Sequence, residues 1–357
     1  MADRYWVGGT AAWDGTAGTK WSTTSGGAGG ASVPTSADDV FFTNLSTGTC
    51  TVDATANCKS LNFTGFTGGF TGTIFNINVY GSVTLVAGMT FTYSAAFIIR
   101  GNCTFTSAGK TVGSLRIGVF SAFENPVVTL GDALTLSGGA GAGALQLNEG
   151  TFNTGNYNLT ATTIAAAGGV VTANLGSSTI TITSTSGTAL NFIAADLTLN
   201  AGTSEIVFTG GSVNCIGGTN TNTIRQGVTF YNVSFTATSA GTHNIQGINT
   251  FNNLTVTAPA SAGVRQVTFD SRQTINGTLS TTGTAGNRRV WFRGVTYGIA
   301  QTLTINATPS LTDADFRDLY VIGTAAPISG TRVGDLRGCR GITFSTPKTV
   351  YWNFAGG

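Results

Sequence analysis

The chain has 357 residues, of which only 9% are charged, against roughly 25% in an average soluble domain. Glycine occurs 51 times, about twice its usual share, while glutamate and lysine, which dress exposed helix surfaces, are scarce. With 41% hydrophobic and 10% aromatic residues, this composition excludes a helical bundle, a coiled coil, an ordinary doubly wound enzyme and a disordered chain.

The formal net charge is +2, but it is unevenly spread. Residues 1–124 balance, residues 125–224 carry Asp132, Glu149, Asp196 and Glu205 with no Lys or Arg, and residues 225–357 are basic. The basic third reads either as scattered surface charge or as a docking region for an acidic protein surface. It has no dense basic run and no basic–aromatic motif, so nucleic acid is not an expected partner. No apolar run approaches membrane-spanning length, and Met1–Gly9 lacks the charged and apolar regions of a secretory leader. Neither a membrane nor an export signal is expected. The five cysteines include no C-x-x-C pair and the chain has one histidine, which argues against zinc. The cysteines read as small buried hydrophobes in a protein made in a reducing cytoplasm.

In chain order, residues 1–36 come first. They hold Tyr5, Trp6, Trp13 and Trp21 among Gly, Thr and Ser, with a low-complexity run at Ser25–Ser32. They read as an aromatic N-terminal cap, or as an arm that anchors to a partner with that run as its hinge. Residues 37–310 follow with apolar residues alternating with Thr, Ser and Asn over short runs, such as Thr179–Thr183 and Asn253–Thr257. Period two means strands with one buried face. Gly, Ser and Asn clusters between the runs are turn chemistry, and no helical-period segment of useful length occurs. An apolar–polar–apolar phrase recurs, as Val83-Thr84-Leu85, Leu134-Thr135-Leu136, Ile180-Thr181-Ile182 and Leu254-Thr255-Val256. Copies lie about 17–25 residues apart, with longer gaps after Phe105 and Leu199. A repeat of that length with short strands predicts an all-β fold, a right-handed parallel β-helix. Roughly a dozen coils stacked at ~4.8 Å would make a rod on the order of 55–60 Å long. Residues 311–357 read as C-terminal coils and cap, with Arg332, Arg337, Arg340 and Lys348 near the tail.

The chemistry that the residues offer is thin. Glycan cleavage needs paired carboxylates on one face of neighbouring coils. Glu124, Asp132 and Glu149 are the best-spaced set, with Asp196 and Glu205 as a second. Asp313, Asp315 and Asp318 suit turn capping and lack the pattern of a calcium loop. His243 reads as a solvated turn residue, and no phosphate-cradling loop occurs. No enzymatic activity, catalytic residue, metal or cofactor is expected. Arg288, Arg289 and Arg293 surround Trp291 and Phe292, and read either as outward charge beside a strand or as a protein–protein footprint. The candidate partner-docking residues are therefore Tyr5, Trp6, Trp13, Trp21, Arg288, Arg289, Arg293, Arg337 and Arg340.

Three stretches carry a resemblance. They are Tyr5-Trp6-Val7-Gly8-Gly9 with Trp13 and Trp21, then Val33–Phe42, and the closing Thr346–Asn353. The tail at Val350–Gly357 also echoes Arg4–Gly9. These stretches resemble a group of tailed-bacteriophage virion proteins, most strongly over residues 1–45 and 310–357. The resemblance implies a particle component: a capsid decoration or cement protein, a head fibre, or a tailspike, the last built as a homotrimer of parallel β-helices. The expected role is a non-enzymatic structural protein of the virion, assembled in the host cytoplasm and stabilising the capsid. Its expected partners are itself, as a homotrimer, and the major capsid protein or another virion protein. The alternative is a tailspike or fibre that binds host surface glycan.

Overall fold

The structure is a computed structural model, and it describes residues 2–13, 19–120, 124–138, 144–166, 168–192, 197–211, 213–215, 227–283 and 287–346. Among these residues there is no helix, and the short strands are stacked in parallel sheets as a β-solenoid. Alternation does the work locally. In Thr179–Ile182, Ile180 and Ile182 are buried while the threonines face outward. Successive coils set like on like. Cys58, Val79, Ile99, Ile117 and Leu147 form one interior file across five strands, each in register with the next. A second file runs Leu136, Ala161, Ile182, Phe208 and Phe235. Each large side chain buried this way contributes ~1.5–3 kcal/mol.

Outward asparagines bond from coil to coil. The Asn174 amide donates to Asn153 at 2.6 Å, and the Asn200 amide donates to Asn174 at 2.7 Å. Two residues on, Gly155, Gly176 and Gly202 turn the corner with φ of 62°, 57° and 59°. A Cβ on Gly202 would lie 2.3 Å from the Gly176 carbonyl oxygen, so only glycine stacks at this corner.

The cross-section changes along the rod. Between Asp39 and Asn200 most coils contribute three strands, such as Asp39–Phe41, Thr49–Thr51 and Ala56–Cys58. Beyond Thr229 the coils use fewer, longer strands, as in Thr229–Phe235 with Gly241–Ile245 and Asn249–Thr257 with Gly263–Phe269. The recurring sequence phrase spans two sheets. Val83–Thr84 and Cys103–Thr106 lie in the ten-stranded sheet, whereas Leu134–Leu136, Leu159–Ala161 and Thr179–Ile182 lie in the eleven-stranded one. The gap after Phe105 holds a further copy of the phrase, Val128-Thr129-Leu130 on the strand Val127–Leu130, which pairs with Cys103–Thr106. The gap after Leu199 holds Glu205–Phe208 and Val213–Cys215, and its residues 216–226 lie outside the described ones.

The coil pattern runs past residues 37–310 at both ends. Asp3–Trp6 is already a parallel rung beside Asp39–Phe41, and Ala314–Arg317 and Leu319–Ile322 continue the last sheets. At the N-terminal end, Trp21–Ser22 runs antiparallel to Asp3–Trp6 and closes the edge of the ten-stranded sheet.

Candidate docking surface

The N-terminal tryptophans are core, which corrects their reading as partner anchors. Trp6, Trp13 and Trp21 are all buried. Trp6 and Trp13 each meet Trp21 edge-on, at 5.1 and 4.9 Å between ring centroids, and all three pack on Phe42. The Trp6 indole donates to the Gly9 carbonyl and the Trp21 indole to that of Trp13. Tyr5 is half-buried and stacked on Phe41 at 5.0 Å. Ser25–Ser32 is tied down and forms no hinge. The Gly30 and Ala31 amides donate to the Trp21 carbonyl, and Arg4 donates to Ser32. Residues 2–13 and 19–36 therefore form a cap with an aromatic centre.

His243 is likewise core, not a solvated turn. It sits buried on the strand Gly241–Ile245, where Nε2 lies 2.8 Å from the fully buried Arg265 guanidinium. Arg265 also donates to the carbonyls of Ala237, Ser239 and Thr257, and has no carboxylate partner among the described residues. Burial first, then the Arg265 charge, push the His243 pKa down to about 3. Its partner on the neighbouring coil, Arg265, sits 22 residues further along the sequence. Cys50, Cys58 and Cys103 are buried thiols, as expected, and burial pushes the Cys103 pKa up to about 12. Cys339 is half-buried.

The carboxylates are mostly spoken for. Glu124 and Glu149 do come together, since the Glu124 amide donates to Glu149 Oε1 at 2.9 Å. The Glu124 carboxylate, however, is held by both ends of the Arg100 guanidinium, at 3.0 and 2.6 Å. Asp132 accepts from the Ser107 and Ala108 amides and closes a turn. Asp196 lies outside the described residues, as do Lys348 and the tail that echoes Arg4–Gly9. Asp313 is buried and forms an ion cluster. Arg332 grips both its oxygens at 2.6 and 2.7 Å, and Arg289 lies 3.4 Å away. The Arg332 hydrogen bonds hold the Asp313 carboxyl below the usual range. Arg289 is further bound to Asp315 by two bonds of 2.6 Å, so this cluster locks three coils together and removes Arg289 from docking. Among the described residues no group of three or more His, Cys, Asp or Glu is arranged to hold a metal ion.

What remains is a corner near the C-terminal end. Arg293 and Arg317 are register partners on neighbouring strands, Arg288–Gly294 and Ala314–Arg317, and both stack on Tyr297, at 5.0 and 4.2 Å. Arg293 also lies over Trp291 at 5.4 Å. In the next turn Arg340 lies over Tyr320 at 5.2 Å. The Arg337 side chain is exposed and has no partner among the described residues. Of sixteen large apolar side chains exposed among the described residues, six fall in this stretch: Val295, Tyr297, Ile299, Tyr320, Ile322 and Leu336. Monomer surfaces seldom gather exposed apolar groups in this way. Arginine over tyrosine and tryptophan, with aliphatic neighbours, is the composition of binding hot spots.

No family model, curated protein or solved structure matches the chain. The corner is therefore read from its own chemistry. Sequence reasoning found Arg293, Arg337 and Arg340 and missed Tyr297, Arg317 and Tyr320. The basic excess of the C-terminal third was a signal for the region, but only the coil register places Arg317 beside Arg293.

Proposed function

We propose that the chain is a non-enzymatic structural component of a tailed-bacteriophage particle, a decoration or cement protein that docks on the capsid through its C-terminal corner. The observation that carries this reading is the Arg293–Tyr297–Arg317 stack with the exposed apolar chains around it. Arginines that keep their charge at an apolar surface suit a partner that brings carboxylates and a flat apolar patch. The resemblance of the terminal stretches to phage virion proteins supports the particle assignment. The stacked coils and the Asp313 ion cluster support a rigid, passive role.

The test is occupancy of the particle. Arg317→Glu and Tyr297→Ala, each in the full chain, are expected to strip the protein from particles and lower their tolerance of heat and osmotic shock. The thermal melt of the isolated Tyr297→Ala protein should stay unchanged, since that side chain lies outside the core, and Arg317→Glu, which also removes the 3.3 Å ion pair with Asp318, should melt slightly lower. Full occupancy in both variants would overturn the corner as the docking surface. A copy number matching a few tail appendages, rather than the shell, would overturn the capsid role.

A further inference from the structure

Away from the docking corner, the bend between the strands Gln273–Ile275 and Leu279–Thr282 carries a chemically reactive pair. Asn276-Gly277 is the one Asn–Gly step in the chain. Asparagine is a thermolabile residue. A glycine after it has no Cβ in the way, so its backbone nitrogen can reach the carboxamide carbon.

Register explains why glycine stands there. The strand Asn249–Thr257 pairs with both strands of the next coil, through Phe251 with Ile275 and through Leu254 with Leu279. Two residues, Asn252 and Asn253, therefore face three, Asn276, Gly277 and Thr278, and the extra residue makes a bulge. A Cβ on Gly277 would lie 2.5 Å from both the Asn252 carbonyl oxygen and Asn253 Oδ1, so the bulge admits no larger residue. Asn276 itself is exposed.

The stacked coils hold the two reacting groups apart. The Gly277 amide donates to the Asn252 carbonyl at 2.7 Å, towards the coil before. Asn276 Oδ1 accepts from the Asn306 side-chain amide at 2.9 Å, from the coil after. The nitrogen thus keeps its proton in a bond that points one way along the rod, and the carboxamide is tied the other way. Attack requires both bonds to break, which is a local opening of the coils on either side.

We propose that Asn276 is a deamidation site that the coil stack keeps closed and that reacts when the neighbouring coils part. In the reaction hydroxide takes the Gly277 amide proton and the nitrogen bonds to Asn276 Cγ. The side-chain nitrogen takes a proton from water and leaves as ammonia. A second water opens the resulting succinimide at either carbonyl, giving aspartate or isoaspartate, with no oxidation or reduction at any step. The product places a negative charge beside Asn306, and isoaspartate also routes the backbone through Cβ, lengthening a bulge that already holds an extra residue. Conversion is therefore a lasting mark of a rod that has opened at this coil. The proposal is independent of the docking corner.

The experiment ages the full-length protein in mildly alkaline buffer, with and without guanidinium chloride, and follows Asn276 by peptide mass spectrometry with isoaspartate detection. In denaturant Asn276 should convert faster than any other asparagine of the chain. Without denaturant it should convert more slowly by about tenfold or more, because the native rate is the unfolded rate scaled by the fraction of open molecules. Asn306→Ala, an exposed substitution that frees the carboxamide, should raise the native rate several-fold with an unchanged thermal melt. Asn276→Gln should leave this site unconverted over the same time. Equal rates with and without denaturant would overturn the proposal. So would slow conversion of Asn276 in denaturant, or a native rate in Asn306→Ala equal to that of wild type.

Discussion

His243 and Arg265 show what a buried cation costs when no carboxylate is at hand. Arg265 meets its donors' needs with three carbonyls and the neutral imidazole, so His243 must stay unprotonated in the folded state. With its pKa lowered to about 3, against about 6.5 when unfolded, the folded protein does not take up the proton that the unfolded chain binds. This contribution to stability is therefore complete above about pH 6.5 and is lost progressively down to about pH 3. The slope from one such group is about 1.4 kcal/mol per pH unit. His243→Gln keeps an acceptor for Arg265 and removes the titration. Denaturant unfolding between pH 4 and 6 should show that slope shrink by about that amount in the variant. Equal slopes in the two proteins would show that His243 does not govern acid stability. Asp313, held low by Arg332, adds its own loss only at lower pH, below the usual carboxylate range.

At the scale of the element, each rung gains its stability from its neighbours, because a single coil cannot bury its own apolar face. The N-terminal rung has a neighbour on one side only, and the tryptophan cap supplies the missing face. Trp21 covers Trp6, Trp13 and Phe42 together, so Trp21→Ala should cost ~3–5 kcal/mol and loosen the first coils before the rest. Hydrogen exchange would show faster exchange confined to residues near Asp3–Phe42, while a uniform change along the rod would contradict the nearest-neighbour picture. Gly202→Ala tests a corner. The substitution combines a left-handed φ with a Cβ driven against the Gly176 carbonyl, and it should destabilise by more than the ~1 kcal/mol that either strain alone brings. A melting temperature equal to wild type would show that the corner relaxes without cost.

The whole molecule is a rod of stacked coils, about 60 Å long at ~4.8 Å per rung. Its surface carries few charges to hold copies apart, and same-face residues repeat along the axis, so side-by-side packing can use many equivalent contacts. The tailspike-like resemblance fixes the expected number at three. Light scattering at micromolar concentration and physiological salt should give a homotrimer mass, with small-angle scattering reporting a long dimension near that of one rod. A monomer that stays monomeric on the particle would refute the trimer, and a much longer particle would mean that rods join end to end.

Composition and period-two alternation were enough to dictate an all-β chain, and the spacing of the Thr-centred phrase was enough to dictate stacked coils. Both follow from local rules: which face of a strand is buried, and how many residues close a turn. The interior files could be read from sequence for the same reason, since Ile180 and Ile182 alternate with threonine on any solenoid. Tertiary structure decided everything that depends on which coil lies beside which. It turned Trp6, Trp13 and Trp21 from candidate anchors into a cap, because their rings meet one another and Phe42 across tens of residues. It took Arg289 out of the docking set by setting it against Asp313 and Asp315, and it put His243 into the core beside Arg265. It also assembled the Arg293–Tyr297–Arg317 corner from residues on separate coils. A one-dimensional pattern fixes which way a side chain points. Its neighbour across the rung is set by register, and register is a property of the stacked rod.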